Sequence, residues 1–269
     1  MTSRPRCVGG RLLLAAGLTI EATSAPSVVA AQNSLQLVVT VVDDSGAPVA
    51  GLTREDFILR LGGTEREIVS VEATERTAQV VAIFEGLAAS QRQTSAALAS
   101  FIGSLDDDSI VDMQSVEAEL DEAIVEAVED LHARAVPRPV IVMLGQGSMM
   151  VPSELQSSQV RGKRQAADLR GDRDRVGRLL AEHGILFYGV SVTEISLANL
   201  EALAESTGGH FGVLPAPTGL SDAMTAIGRE LGTQYLVSYM STEGDGTPLR
   251  LEVTRPGHTV RTAPFGPTH

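Results

Sequence analysis

The segment Gln79–Ser90 reads QVVAIFEGLAAS and contains a continuous apolar run that ends at a glycine. A run this short, followed by a helical pattern, is typical of a strand buried on both faces in the middle of a parallel sheet. Open α/β sheets bind ligands outside the carboxyl ends of such strands, so we expect any chemistry just after Phe84. The residues there are Glu85, Gly86, Leu87, Ala88 and Ala89. They offer a single polar side chain.

Strand-like and helical patterns alternate from this segment to Leu231, which predicts a parallel sheet with helices on both faces. The predicted strands are Gln79–Phe84, Ser109–Met113, Pro139–Leu144, Ile185–Val192 and Phe211–Leu214. The predicted helices begin near Ser90, Val116, Val176, Leu197 and Leu220, and the fourth ends at Gly208 in a left-handed cap. The fold class is therefore α/β, with a doubly wound, mostly parallel, Rossmann-like sheet over residues 77–232.

The flanking residues 32–76 and 233–269 have β patterns instead. Strands are predicted at Leu35–Asp43, Phe57–Leu61, Glu67–Val71, Gln234–Met240, Leu249–Thr254 and His258–Thr262. About three short strands at each end are too few to cover an apolar face alone. We therefore predict that both ends combine into one small module resembling a β-sandwich.

Residues 1–31 have the features of a signal peptide. Arg4, Arg6 and Arg11 precede the apolar run Leu12–Ile20, and small residues at 29–31 suit a cleavage site. Nine apolar residues are far fewer than the roughly 20 that span a bilayer. We expect an exported product, periplasmic or extracellular, without a membrane span. Removal of this segment would also remove Cys7, the single cysteine.

The charge pattern excludes some partners and suggests others. A net charge of −13, 3% aromatic residues and no tryptophan argue against nucleic-acid binding. Eleven carboxylates and no lysine or arginine lie between Asp106 and Asp130, and Glu119, Glu122 and Glu126 belong to this run. A basic segment, residues 161–175, follows. The two runs are either solvated faces or a bipolar surface for a protein partner or for self-association.

Three segments carry a family resemblance, namely Gly46–Phe57 (GAPVAGLTREDF), Leu203–Gly209 (LAESTGG) and Glu230–Tyr235 (ELGTQY). With the order of elements, they resemble a von Willebrand factor A-type domain, in particular the secreted acidobacterial family that carries this domain behind an export signal. The resemblance covers most of the chain after residue 31. It implies a doubly wound sheet, a metal-ion-dependent adhesion site at the strand tops, and binding of proteins rather than catalysis.

The sequence departs from that family at the metal site. The usual D-x-S-x-S motif falls on Glu85, Leu87 and Ala89, the expected threonine falls near Ala118, and the expected aspartate falls on Gln146. One carboxylate of at least four oxygen ligands remains, whereas Mg²⁺ requires near-octahedral oxygen coordination. We therefore predict a degenerate site with no metal and no other cofactor. Glu85 is explained instead by its place before a helix N-terminus.

Other residues suggest chemistry less directly. Ser148 in Gly145–Ser148 follows a strand, but its surroundings match neither a nucleophile elbow nor a phosphate loop. His183 and His210 are interpreted as surface histidines, and Arg170–Asp172 as a chance RGD tripeptide. We therefore predict no catalytic residues.

The sequence predicts an exported, non-enzymatic protein-binding module, for adhesion or scaffolding, whose A-type domain has lost its metal site. The predicted partner surface joins strand-top residues to the acidic run, and its members are Glu85, Ser90, Gln146, Ser148, Glu119, Glu122 and Glu126. A metal-dependent adhesion domain with a rearranged site is the first alternative. A serine hydrolase that uses Ser148 is the second.

Overall fold

A computed structural model of the 269-residue chain describes residues 32–74, 77–85, 91–116, 120–145, 175–192, 198–242 and 249–264. Four strands come first: β1 Gln32–Asp43, β2 Phe57–Leu61, β3 Thr64–Arg66 and β4 Ile68–Ala73. The central part contains β5 Gln79–Glu85, α1 Gln91–Ile102, β6 Ile110–Val116, α2 Leu120–Ala133, β7 Pro139–Gly145, α3 (described over 175–182), β8 Leu186–Val192, α4 Ala198–Ser206, β9 Phe211–Leu214 and α5 Leu220–Leu231. Three strands follow: β10 Tyr235–Thr242, β11 Leu249–Val253 and β12 His258–Pro264.

The central part forms a five-stranded parallel sheet in the order β6-β5-β7-β8-β9. Strands β7 and β8 are almost entirely buried, as continuous Val/Ile/Leu-rich runs require. The predicted α/β class, with a Rossmann-like parallel sheet flanked by helices, is confirmed.

Helices cover both faces of this sheet, and the side chains of the strands alternate between them. On one face, Val80, Ala82 and Tyr188 pack against α1 and α5. On the other, Val81 and Ile83 pack against α2, α3 and α4. The sequence pattern predicts an apolar stripe of Leu120, Ile124, Ala127, Val128 and Leu131 on the second helix. The last four are buried against the sheet together with Ala123, and Leu120 is partly buried.

Both ends of the chain build two antiparallel sheets. One has the order β12-β1-β10-β4 and the other the order β11-β2-β3. Buried residues of both sheets form a single apolar cluster, in which the rings of Phe57 and Tyr235 meet edge to face at 5.9 Å. The first and last strands of the described chain therefore depend on each other for burial.

Strand β1 is buried on both faces. Leu37, Val39 and Val41 face the cluster between the antiparallel sheets. Val38 belongs instead to the core that contains α1 and α5. The four-stranded sheet thus lies between the three-stranded sheet and the parallel-sheet core, and the residues from Gln32 onward form one compact unit.

Some predicted elements differ from the observed ones. Val116 ends strand β6 and does not begin a helix, and α2 begins at Leu120. The predicted strand Glu67–Val71 corresponds to β4, and the short strand β3 before it was not predicted. Both errors concern exposed segments with mixed polarity, in which the alternation that marks a half-buried strand is weak.

Candidate functional site

The carboxyl edge of the parallel sheet is where the strand-top residues were predicted to meet. Glu85 pairs in register with Val116, and Phe84 pairs with Leu144, so the backbones of β5, β6 and β7 end side by side. Residue 146 directly follows the last residue of β7. The described ends of β5 and β7, Glu85 and Gly145, therefore lie at one edge of the sheet.

Most of the predicted site lies outside the described residues. This holds for Leu87, Ala89, Ser90, Ala118, Glu119, Gln146 and Ser148, and for the side chain of Glu85. Chemistry alone decides one question about them. Leu87, Ala89 and Ala118 have no side-chain lone pairs, and Gln146 offers a neutral amide oxygen in place of a carboxylate, so these four side chains supply at most one of the several oxygen ligands that a divalent cation requires. Within the described ranges, no three acidic, histidine or cysteine side chains are grouped to hold a metal.

The remaining predicted site residues lie on α2. Glu122 and Glu126 are exposed, and a groove of about 310 Å³ runs along this helix. The residues that line it are Asp121, Glu122, Val125, Glu126, Glu129, Arg175 and Val176. Four of these seven are carboxylates, and Arg175 of α3 is the one cation among them. The groove therefore has a mainly negative lining, supplied by α2 and α3, and it suits a cationic partner.

Strand β6 continues this charged surface toward the edge of the sheet. Gln114 Nε2 donates to Glu126 Oε2 at 2.9 Å. Arg134, just after α2, donates to Asp112 Oδ2 of β6 at 2.5 Å and also binds the carboxylate of Asp130. These contacts hold β6 and α2 together, and in them Arg134 binds the carboxylates of Asp112 and Asp130 while Glu126 accepts from Gln114.

A second polar cluster is buried where the parallel-sheet core meets β1 and β12. We call it the junction network; its members are Thr40, Arg138, Tyr188, Glu230, Gln234 and Arg261. The Tyr188 hydroxyl donates to Glu230 Oε1 at 2.7 Å and accepts from Gln234 Nε2 at 3.0 Å. The Gln234 amide also donates to Thr40 Oγ1 at 2.9 Å.

Two arginines complete the junction network. Arg138 donates to Gln234 Oε1 at 2.6 Å and to the carbonyl of Leu231. Arg261 of β12 pairs with Glu230 Oε2 at 2.5 Å and donates to the carbonyl of Gly209 at 3.1 Å. Because these residues come from β1, β8, α5, β12 and the segments before β7 and β10, the network fixes the antiparallel strands on the parallel-sheet core.

The junction network is arranged to hold elements together rather than to react. Tyr188 is fully buried and Gln234 is 1% exposed, so no substrate reaches them. Burial, and then the Glu230 carboxylate, raises the pKa of the Tyr188 hydroxyl well above its ordinary value. Burial lowers the pKa of the Arg138 guanidinium. Tyr188 therefore stays protonated and serves as a hydrogen-bond donor.

Neither predicted histidine lines the groove or belongs to the junction network. His210 is exposed, and partial desolvation together with the Arg261 guanidinium lowers the pKa of its imidazole. The His183 ring lies 4.2 Å from that of His132, and this contact joins the ends of α2 and α3. Ser148 and the tripeptide Arg170–Asp172 lie outside the described residues.

Sequence reasoning found the acidic face of α2 but missed the junction network. One signal was present. The segments Leu203–Gly209 and Glu230–Tyr235, chosen for the resemblance, supply Gly209, Glu230 and Gln234 to it. Glu230 and Gln234 are hydrogen-bonded to Tyr188, which is more than 40 residues away in the sequence. No local sequence pattern predicts such a contact.

Comparisons with known proteins do not assign the chain to a family. No protein-family model matches the chain, and a search of curated proteins finds no match. In the part of the chain that the structure describes, no helix has the length and apolar character to cross a membrane.

Proposed function

We propose that this chain is an exported, non-catalytic protein-binding module of the von Willebrand A type whose metal site is degenerate. Residues 1–31 act as a signal peptide, and residues 77–232 form the A-type domain. Residues 32–76 and 233–269 form a β-sandwich-like module beside it. The product functions in the periplasm or outside the cell.

The observation that carries this proposal is the acidic surface of α2. Glu122, Glu126 and Glu129 are exposed on a helix that is anchored to the sheet by five buried side chains, so their positions are fixed before a partner arrives. Preorganised charge increases the rate of association and selects partners of opposite charge. The groove along the same helix gives such a partner a concave surface.

The β framework supports the proposal in a second way. Tyr235 links two of the segments that resemble the family. Its hydroxyl donates to the Val49 carbonyl at 2.7 Å and accepts from the Leu52 backbone N–H at 3.1 Å. Segments that resemble the family in sequence therefore contact each other in space, as expected if they are parts of one inherited framework.

Affinity capture tests the binding role. The immobilised protein without residues 1–31 is incubated with exported proteins of the source cells, and retained proteins are identified by mass spectrometry. A double variant, Glu122→Lys with Glu129→Lys, should lose the partner, because it reverses the charge of the surface. Glu205→Lys, on the exposed face of α4, is the matched control and should retain it. Equal retention by all three proteins would contradict the proposal.

A thermal-shift titration tests the degenerate metal site. A cation at 100 times its dissociation constant stabilises a protein by about 2.7 kcal/mol. Millimolar Mg²⁺ or Ca²⁺ should therefore raise the melting temperature no more than salt of equal ionic strength does. Saturable, Mg²⁺-specific stabilisation that Glu85→Ala abolishes would support the metal-dependent alternative instead.

A further inference from the structure

Strand β6 forms an edge of the parallel sheet. Among the described residues its hydrogen-bonded neighbour is β5 alone, and the two strands pair without a bulge over seven residues. Within the described ranges, the backbone donors and acceptors on the outer side of β6 have no strand partner, as at other sheet edges. Met113 and Ile110 are exposed on it, at 62% and 48%. Both values are high for large apolar side chains.

The register with β5 shows on which side of the sheet each β6 residue lies. Paired residues of parallel strands point to the same face. Met113 pairs with Ala82, whose face packs against α1. Asp112 and Gln114 pair with Val81 and Ile83, whose face packs against α2. The edge thus carries the exposed Met113 on one side, and Asp112 and Gln114 together with the exposed Ile110 on the other.

Natural edge strands usually carry lysine, proline or a bulge that prevents pairing with a further strand. β6 reads IVDMQSV and has none of the three. Its carboxylate, Asp112, is bound by Arg134, and Gln114 is bound by Glu126. Both polar side chains are therefore held by residues of the α2 region, and the pairing edge is left uncovered by them.

The charge around this edge selects the kind of strand that would pair with it. Asp106, Asp107 and Asp108 are exposed just before β6, and Glu126 and Asp130 flank its polar side. A second copy of the chain would bring two such acidic borders together, and like charges oppose that contact. A cationic strand would meet the carboxylates of Asp106, Asp107 and Asp108 and that of Glu126, whereas Asp112 and Asp130 are already paired with Arg134.

We propose that the outer edge of β6 binds an extended peptide strand with lysine or arginine at alternate positions and apolar residues between them. Its basic side chains lie on the side of α2, opposite Glu126. Its apolar side chains lie on the side of Met113. Backbone hydrogen bonds supply sequence-independent affinity, and this alternation supplies the selectivity. The inference rests on the proposed binding function and names the surface and partner chemistry for it.

A labelled heptapeptide of alternating lysine and valine is the probe, and fluorescence anisotropy with the protein lacking residues 1–31 measures its binding. Hydrogen exchange should show added protection at residues 110–116 in the complex. A peptide with glutamate in place of lysine should bind at least about tenfold more weakly. The same loss is expected for the lysine peptide with alternate backbone nitrogens methylated, because it cannot donate to the strand.

Met113→Lys places a cation on the edge and should weaken binding by at least about tenfold, since lysine blocks edge pairing and repels the probe. Val69→Lys is the matched control. Val69 is 47% exposed on β4, an edge strand of the antiparallel sheet. The Val69→Lys variant should bind the probe with a dissociation constant within about twofold of that of the unmodified protein, because surface substitutions away from a contact have small effects. Thermal melting of both variants checks that they fold.

Three results would overturn the proposal. They are no binding of the lysine probe, binding without protection of β6, and equal loss in both lysine variants. A dimer in sedimentation that Met113→Lys dissociates would name a second copy as the occupant and overturn it as well. Affinity capture distinguishes these failures from failure of the general binding role. If Met113→Lys protein still captures the natural partner, that role stands and the edge is not its surface.

Discussion

The junction network and the β6 edge are both rich in charge, yet they differ in almost every other respect. The network holds Glu230 and Arg261 at 2.5 Å, with the side chain of Glu230 only 8% exposed. At the β6 edge, Arg134 and Asp112 are also 2.5 Å apart, but their side chains are 34% and 52% exposed. Equal distances thus occur in very different solvent environments. Removing one partner from a buried pair leaves a desolvated charge, whereas water replaces a lost partner at the surface.

Glu230→Ala should give the largest effect. It leaves Arg261 without its carboxylate and the Tyr188 hydroxyl without its acceptor. We expect the free energy of unfolding to fall by about 3–5 kcal/mol, as for other broken buried pairs. Urea denaturation of the variant and the unmodified protein measures this loss of stability. Glu129→Ala, exposed on α2, is the control and should change stability by less than about 0.5 kcal/mol. Similar losses in both would remove the distinction between the two regions.

Gly228→Ala should have the next largest effect, because α5 must lie close to α1 to present Glu230. A Cβ at this position would lie 1.9 Å from Ser104 Oγ and 3.2 Å from the Phe101 carbonyl oxygen. We expect a loss of about 1–3 kcal/mol from overpacking. Gly232, after the same helix, has helical φ and ψ and no such neighbour. Gly232→Ala should instead stabilise the protein by about 0.4–1 kcal/mol. Chemical denaturation of both variants should therefore give opposite signs.

Tyr188→Phe tests the junction network through the pH dependence of the free energy of unfolding. At pH 7 the loss of one hydrogen bond to a carboxylate should cost about 1.5 kcal/mol. The pKa of the Tyr188 hydroxyl is higher in the folded protein than in the unfolded chain. Tyr188 therefore contributes its full stabilisation of the folded state below the ordinary tyrosine pKa of about 10. That contribution decreases as the pH rises further, because the unfolded chain then releases the proton more readily.

The measurement for Tyr188 is the denaturation midpoint between pH 8 and pH 11.5. The unmodified protein should lose stability above about pH 10 more steeply than Tyr188→Phe does. Parallel pH profiles of the two proteins would show that Tyr188 titrates as it does in the unfolded chain. The variant therefore isolates this tyrosine from Tyr235 and Tyr239, which both proteins retain.

Arg134→Ala should have the smallest effect. It removes the contacts to Asp112 and Asp130, both exposed, and we expect a loss of about 0.2–1 kcal/mol. At 1 M salt, where the Debye length is about 3 Å, the difference from the unmodified protein should nearly vanish. The loss from Glu230→Ala should persist under the same conditions. A salt-insensitive loss in Arg134→Ala would show that the edge contributes to stability as the junction does.

The sequence predicted the fold well where burial produces a pattern. Strands β2 and β9 and helix α5 have the predicted bounds, since each shows a clear apolar period. The left-handed cap at Gly208 is also confirmed, with φ at +80°. The end of β6 was missed, because its outer residues face solvent and its polar side chains are satisfied by α2.

The acidic face of α2 and the buried junction network were predictable to different degrees. The acidic face of α2 was visible because its residues lie within one continuous segment, Asp106–Asp130. The junction network was not, since Thr40 and Gln234 are hydrogen-bonded across 194 positions of the chain. A charged surface can be predicted from the composition of one short segment. A buried polar contact between distant segments can be recognised only once the pairing of the strands is known.

The position of β1 between β10 and β12 has a consequence for how the chain folds. Gln36 and Ser238, which are hydrogen-bonded across the sheet, lie 202 positions apart. When the ribosome has made β1, the two strands that flank it do not yet exist. Contacts of such long sequence separation form late and slowly. The antiparallel layer therefore closes after the parallel core can already form, and until then β1 exposes apolar side chains on both of its faces.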